Sequence, residues 1–126
     1  MIAVEIDPPA VFERTAVSNL TGHPDDGAFA FVLLTRYRRL LPERLRRIAA
    51  ALPGAAEEEA RNAAMDAVLS LKVASSTVGA HELAGIAARV ERLLRLGDVT
   101  QAVLVETTLA AAAARADHAI DAFLAG

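Results

Sequence analysis

Apolar residues recur along most of this chain at steps of three and four, the spacing that aligns one face of an α-helix. After Asp7-Pro8-Pro9, an N-cap residue followed by proline at a first helical position, Val11, Phe12, Ala16 and Leu20 keep that spacing. A short first helix is therefore expected, running to Gly22. The segment TGHPDDG reads as a loop, with Asp25 or Asp26 capping the next helix. A second stripe follows from Ala28 onward: Ala30, Leu34, Tyr37, Leu41, Leu45, Ile48 and Leu52, ended by Pro53-Gly54. It runs through Pro42, which removes an interior hydrogen bond and predicts a kink or short break near Leu41.

A third pattern covers residues 55–78, opened by Glu57, Glu58 and Glu59, whose charge suits the positive end of a helix dipole. Gly79 is its expected C-terminal cap. The fourth covers residues 81–96, with Leu83, Ala87, Val90 and Leu94 on the buried side and Gly97 as the stop. Asp98 and Gln101 match a capping box ahead of a last stripe of Leu109, Ala113, Ala116, Ile120 and Phe123. VTQAVLVETT is rich in β-branched residues, yet it alternates poorly and no other segment offers it a partner strand. Long amphipathic helices on short loops predict one all-α domain over residues 1–126. The expected architecture is an antiparallel up-and-down four-helix bundle with a short extra N-terminal helix on one end.

Composition sharpens this picture in a few places. Apolar residues make up 54% of the 126, but much of that is alanine, with four Phe, one Tyr and no Trp, so the helices must approach closely. The absence of cysteine excludes a disulfide framework and a thiolate metal site. A net charge of −3 gives no overall pull toward nucleic acid or an anionic membrane. The N-terminus carries acidic residues early and lacks a basic region leading into an apolar run, so no signal peptide is expected and the location expected is cytoplasmic. No stretch approaches the roughly 20 uncharged apolar residues of a spanning helix.

The third helix holds the anomaly. At about 100° per residue, Ala60, Ala64, Ala67, Leu71, Ala74 and Val78 share its core face. The opposite side carries Asn62, Met65, Asp66, Leu69, Val73, Ser76 and Thr77, with Lys72 at the flank. Met65, Leu69 and Val73 thus form an apolar strip where a bundle helix ordinarily shows charge to water. Either another segment of the chain covers the strip, or it is a docking surface with apolar centre, polar rim and a cation at its side.

The stretch VLSLKVASSTVGA resembles the signature helix of the histidine-containing phosphotransfer (HPt) domain. In that family a phosphoacceptor His is followed by Leu, Lys and Gly two, three and four residues on, and by a further Gly at ten. Leu71, Lys72, Ala74, Ser75, Gly79 and Ala80 match, and Leu83 in HELAGIAARVE matches the start of the family's next helix. RYRRLLPERLRRI resembles the preceding proline-kinked helix, and LRLGDVTQA the turn into the last one. The resemblance spans nearly the whole chain beyond Asp7 and is densest over residues 60–98. It sets Leu69 at the phosphoacceptor position and Val73 at the following Gly position. In the family the imidazole attacks an aspartyl-phosphate of a response-regulator receiver, the Lys helps neutralise phosphoryl oxygens, and the Gly admits the receiver closely. Leucine has no lone pair with which to act as a nucleophile.

The resemblance therefore implies a non-catalytic HPt-like module of a two-component phosphorelay, without cofactor or metal. It would bind a receiver or histidine-kinase module through Met65, Leu69, Lys72, Val73 and Ser76, with Lys72 contacting an acidic group. A homodimer or scaffold seam is the alternative use of the same strip, and phosphotransfer through His81 or His118 a third reading. His81 lies twelve residues past Leu69 and is expected to be an exposed, unremarkable residue. His118 with Asp117 and Asp121 makes a poor metal site. Arg36, Arg38, Arg39, Arg44, Arg46 and Arg47 read as a solvated helix face, with Glu57, Glu58 and Glu59 as possible partners, rather than a nucleic-acid stripe, because no aromatic platform accompanies them. Gly85, inside the fourth helix, is expected where another segment packs closely.

Overall fold

A computed structural model describes residues 8–21 and 27–126, and every regular element among them is helical. The elements are α1 (Ala16–Thr21), α2 (Gly27–Ala51), a 3-10 turn (Leu52–Gly54), α3 (Glu58–Val78), α4 (His81–Arg95) and α5 (Val99–Ala125). Asp7, Gly22, Asp25 and Asp26, named above as helix-boundary residues, lie outside the described residues. Each long helix packs on the one before it, α3 on α2, α4 on α3 and α5 on α4, and the ring closes more loosely between α5 and α2. Short turns between such neighbours make them antiparallel, and the result is the all-α bundle that the stripes imply.

The stripes are where the core lies. Leu34, Tyr37, Leu41 and Ile48 of α2, Ala64, Ala67, Leu71 and Val78 of α3, and Leu83, Ala87, Val90 and Leu94 of α4 are buried. So are Leu109, Ala113, Ala116 and Ile120 of α5. Within this core the Tyr37 hydroxyl meets the Ser75 hydroxyl at 2.7 Å, which gives each buried polar atom its partner. Burial also pushes the Tyr37 phenol above its ordinary value. Opposite, Arg38 of α2 forks onto Asp117 and Asp121 of α5 at 2.8 and 3.1 Å and ties the looser seam.

Three boundaries differ from the sequence reading. α2 does not break at Pro42; it runs unbroken to Ala51, with the proline on the exposed side of the helix. α3 begins at Glu58 instead of residue 55, because Ala55 and Glu57 donate their amides back to Leu52 and Gly54 and complete the preceding turn. The first helix is shorter than expected, and Val11 and Phe12 lie outside it.

The reason lies in the α3–α4 turn. Ala10 accepts from the amide of Glu82, and the amide of Glu13 donates to the carbonyl of Gly79, both at 2.8 Å. The N-terminal segment is a strap across this turn, so its backbone is not available for helix. Phe12 packs against Phe123 with ring centroids 5.4 Å apart, and the Arg14 guanidinium stacks over the same ring. Gly79 sits at φ +91°, in the left-handed region that favours glycine, and a Cβ there would lie 2.5 Å from the Glu13 carbonyl oxygen and 2.9 Å from the Ala16 Cβ. Asp98 caps α5 by accepting from the Gln101 amide at 3.2 Å.

Replacing Gly79 by alanine combines a strained φ with a clash against backbone, so Gly79→Ala should lower the unfolding free energy by about 2 kcal/mol or more in urea titration. An unchanged midpoint would mean that the strap does not hold the turn.

Candidate functional site

α3 lies between α2 and α4, so its inner face fills the core and its outer face is the one left over. Val73 stands there 61% exposed, and Ser76 beside it is exposed as well. Leu69 is half-buried, one turn along. Met65 and Leu69 both depart from the expected exposed strip: each is half-buried, and Met65 packs against the core. The structure thus leaves Val73 and Ser76 exposed on the outer surface with Leu69 partly covered beside them, and neither α1 nor α2 covers Val73. The Thr77 hydroxyl donates to the Val73 carbonyl at 2.8 Å, which ties the upper end of this surface to the helix itself.

Lys72 does not reach into solvent. Its ammonium meets Glu91 Oε1 of α4 at 2.6 Å, and the other oxygen of the same carboxylate takes Arg95 at 2.6 Å. The Glu91 side chain is only 10% exposed, against 32% for Lys72. The hydrogen bond from Lys72 holds the Glu91 carboxyl below its ordinary range, with the charges of Lys72 and Arg95 adding to the effect against the opposing effect of desolvation. The charge next to Leu69 is therefore compensated inside the chain. The sequence reading had no place for Glu91; its i, i+4 spacing to Arg95 was the available signal, while the partner nineteen residues back emerges only from the turn at Gly79.

A shallow groove of about 420 Å³ runs between α3 and α4, lined by Lys72, Val73, Ser76, Thr77, Ala84 and Gly85. Met65 and Leu69 are not part of its wall. Gly85 corrects a second expectation. No described segment packs against it: a Cβ added there would meet nothing within 4 Å among the described residues, and the residue is exposed. A larger open groove between α2 and α3, about 1200 Å³, brings Arg44 and Arg47 near Glu57, Glu58 and Glu59 without an ion pair between the two sets. Arg46 and Arg47 pair instead with Glu43 on their own helix.

The histidines occupy other ground. His81 Nε2 lies 2.6 Å from a Glu13 carboxylate oxygen, so the residue is half-buried and partnered by the strap rather than free. His118 is exposed on α5, and its neighbours Asp117 and Asp121 already accept from Arg38. Among the described residues no helix is long and apolar enough to cross a membrane.

With this geometry in view, the comparison with known families is informative. The family model for the Hpt domain matches residues 32–123, well over half of the chain. The chain belongs to the Hpt domain family, and it is thereby a phosphotransfer-related signalling module of the two-component type. Members of this family interact with response regulators or kinases in phosphorelays. No curated protein and no solved structure matches the chain.

Two outcomes follow from the site's geometry. Gly85→Ala places a methyl in open space on a helix, so it should raise stability by about 0.5–1 kcal/mol in urea titration; a loss would reveal a packing role for the glycine. Glu91 has a depressed carboxyl, so its pairing stabilises the fold above the ordinary glutamate value and is lost as pH falls through the depressed one. Glu91→Gln should therefore be less stable than wild type near neutrality and show a smaller further loss between about pH 7 and about pH 3. Parallel acid limbs for the two proteins would contradict the pairing.

Proposed function

We propose that residues 1–126 form a single cytoplasmic, non-catalytic Hpt-type module that binds a response-regulator receiver, or the kinase module that feeds one, through the outer face of α3. The observation that carries this reading is the exposure of Val73, with half-buried Leu69 one turn before it, on the helix that the family uses for transfer. Leucine at the phosphoacceptor position has no lone pair to attack an aspartyl-phosphate, so the face keeps a contact without the chemistry. Val73 adds bulk where the family has glycine, and its exposed methyls offer apolar area to a partner. Met65 adds its partly exposed apolar surface, Ser76 supplies a polar edge, and Lys72 lends its stem while Glu91 holds its charge. Such a module competes for, sequesters or tether its partner rather than relaying phosphate.

The test is binding and phosphate transfer against receiver domains of the source organism. Wild-type protein should form a complex and incorporate no acid-labile phosphate from a phosphorylated receiver. Leu69→Asp and Val73→Arg, both on the outward face, should each weaken the complex by at least about tenfold. Undiminished binding by both variants removes the surface, and labelled wild-type protein removes the non-catalytic reading.

A further inference from the structure

The outward face of α4 carries a feature that the strip on α3 does not explain. Four residues of α4 are exposed, Gly85, Arg89, Arg92 and Arg95, so every exposed charge on this helix is an arginine although the chain is net acidic. The acids of α4 are turned away and engaged: Glu82 accepts from Arg115 of α5 at 2.9 Å, and Glu91 takes Lys72 and Arg95. Arg89 and Arg92 make no ion pair among the described residues. At about 100° per residue, Gly85, Arg89 and Arg92 fall within roughly 60° of one another on the outward side.

Gly85 meets no packing demand from the described residues. A mid-helix glycine destabilises its helix relative to alanine, and here no described atom occupies the missing methyl's space. What glycine does provide is close approach of something outside the helix. It forms the α4 lip of the groove whose α3 wall is Val73, Ser76 and Thr77. The bulk that Val73 adds on one side of the groove is matched by an opening on the other.

We infer that the docking footprint crosses from α3 onto α4, with Gly85 as the point of close approach and Arg89 and Arg92 as a cationic rim that seats an acidic protein surface. Charge complementarity selects the occupant. Lys72 is held by Glu91, so the cations that α4 presents without an ion pair among the described residues are Arg89 and Arg92, and the receiver whose acceptor group is an aspartate supplies the opposite sign. The inference rests on the reading of the α3 face given above and assigns the part of the partner surface that lies beyond it.

The experiment compares a receiver's binding to the full-length wild type, Gly85→Gln, the double variant Arg89→Glu/Arg92→Glu, and Leu69→Asp. Glutamine is a good helix former and meets open space, so a melting temperature no lower than wild type certifies the fold of Gly85→Gln. The expected result is a Kd raised about tenfold or more in Gly85→Gln and in the double variant. In the double variant the loss should sit mainly in the association rate, and the wild type's weakening between about 50 and about 500 mM salt should largely vanish. If Leu69→Asp abolishes binding while the α4 variants bind like wild type, the footprint ends on α3 and this inference fails alone. If no receiver binds, or Leu69→Asp binds normally too, it falls together with the α3 reading. Binding of RNA, anionic vesicles or a second copy of the chain in place of a receiver, lost in the double variant, overturns the assigned partner.

Discussion

A helix flanked on both sides by its neighbours can bury only its inner face, and α3 is held in that position by α2 and α4. Ala64, Ala67 and Leu71 fill the inside, and the two small alanines let the neighbouring helices come close. Val73 is consequently left exposed and Leu69 half-buried, with no described segment lying over Val73. The exposure of Val73 follows from packing order as directly as the burial of Leu71 does.

The second constraint is the turn at Gly79. Its left-handed conformation, fixed by the strap through Glu13, sets α4 back along α3 in a register that brings Glu91 under Lys72. The ion pair is largely shielded on the Glu91 side, so removing Glu91 leaves the Lys72 charge without its partner beside the strip, whereas removing Lys72 leaves Glu91 held by Arg95. The family's lysine serves phosphoryl oxygens; here the same ammonium is satisfied by a carboxylate, beside a residue with no nucleophilic atom.

Much of the fold was legible because amphipathic spacing and end signals agreed. Leu83, Ala87, Val90 and Leu94 are buried as a set, Gly79 and Asp98 cap as their residue types suggest, and VTQAVLVETT is helix because tertiary packing on one stripe outweighs β-branched preference. The strap was not legible: the hydrogen bonds of Ala10 and Glu13 go to residues about seventy positions away, and no local pattern records them. The candidate site was half legible. Rotation about α3 placed Leu69, Val73 and Ser76 outward, but which flank Met65 leans toward, and whether Lys72 has an internal partner, depend on α4. Gly85 was misread because a helical glycine gives the same sequence signal whether or not a neighbouring segment packs on it.

The account turns on where a receiver touches this protein, and amide chemical-shift mapping reads that directly. Titrating an unlabelled receiver into the ¹⁵N-labelled chain should perturb a contiguous set of amides on α3 around Leu69, Val73 and Ser76 and on α4 around Gly85 and Arg89, leaving α2 and α5 unchanged. Perturbations confined to α2 and α5, with the α3 face silent at saturation, would contradict it.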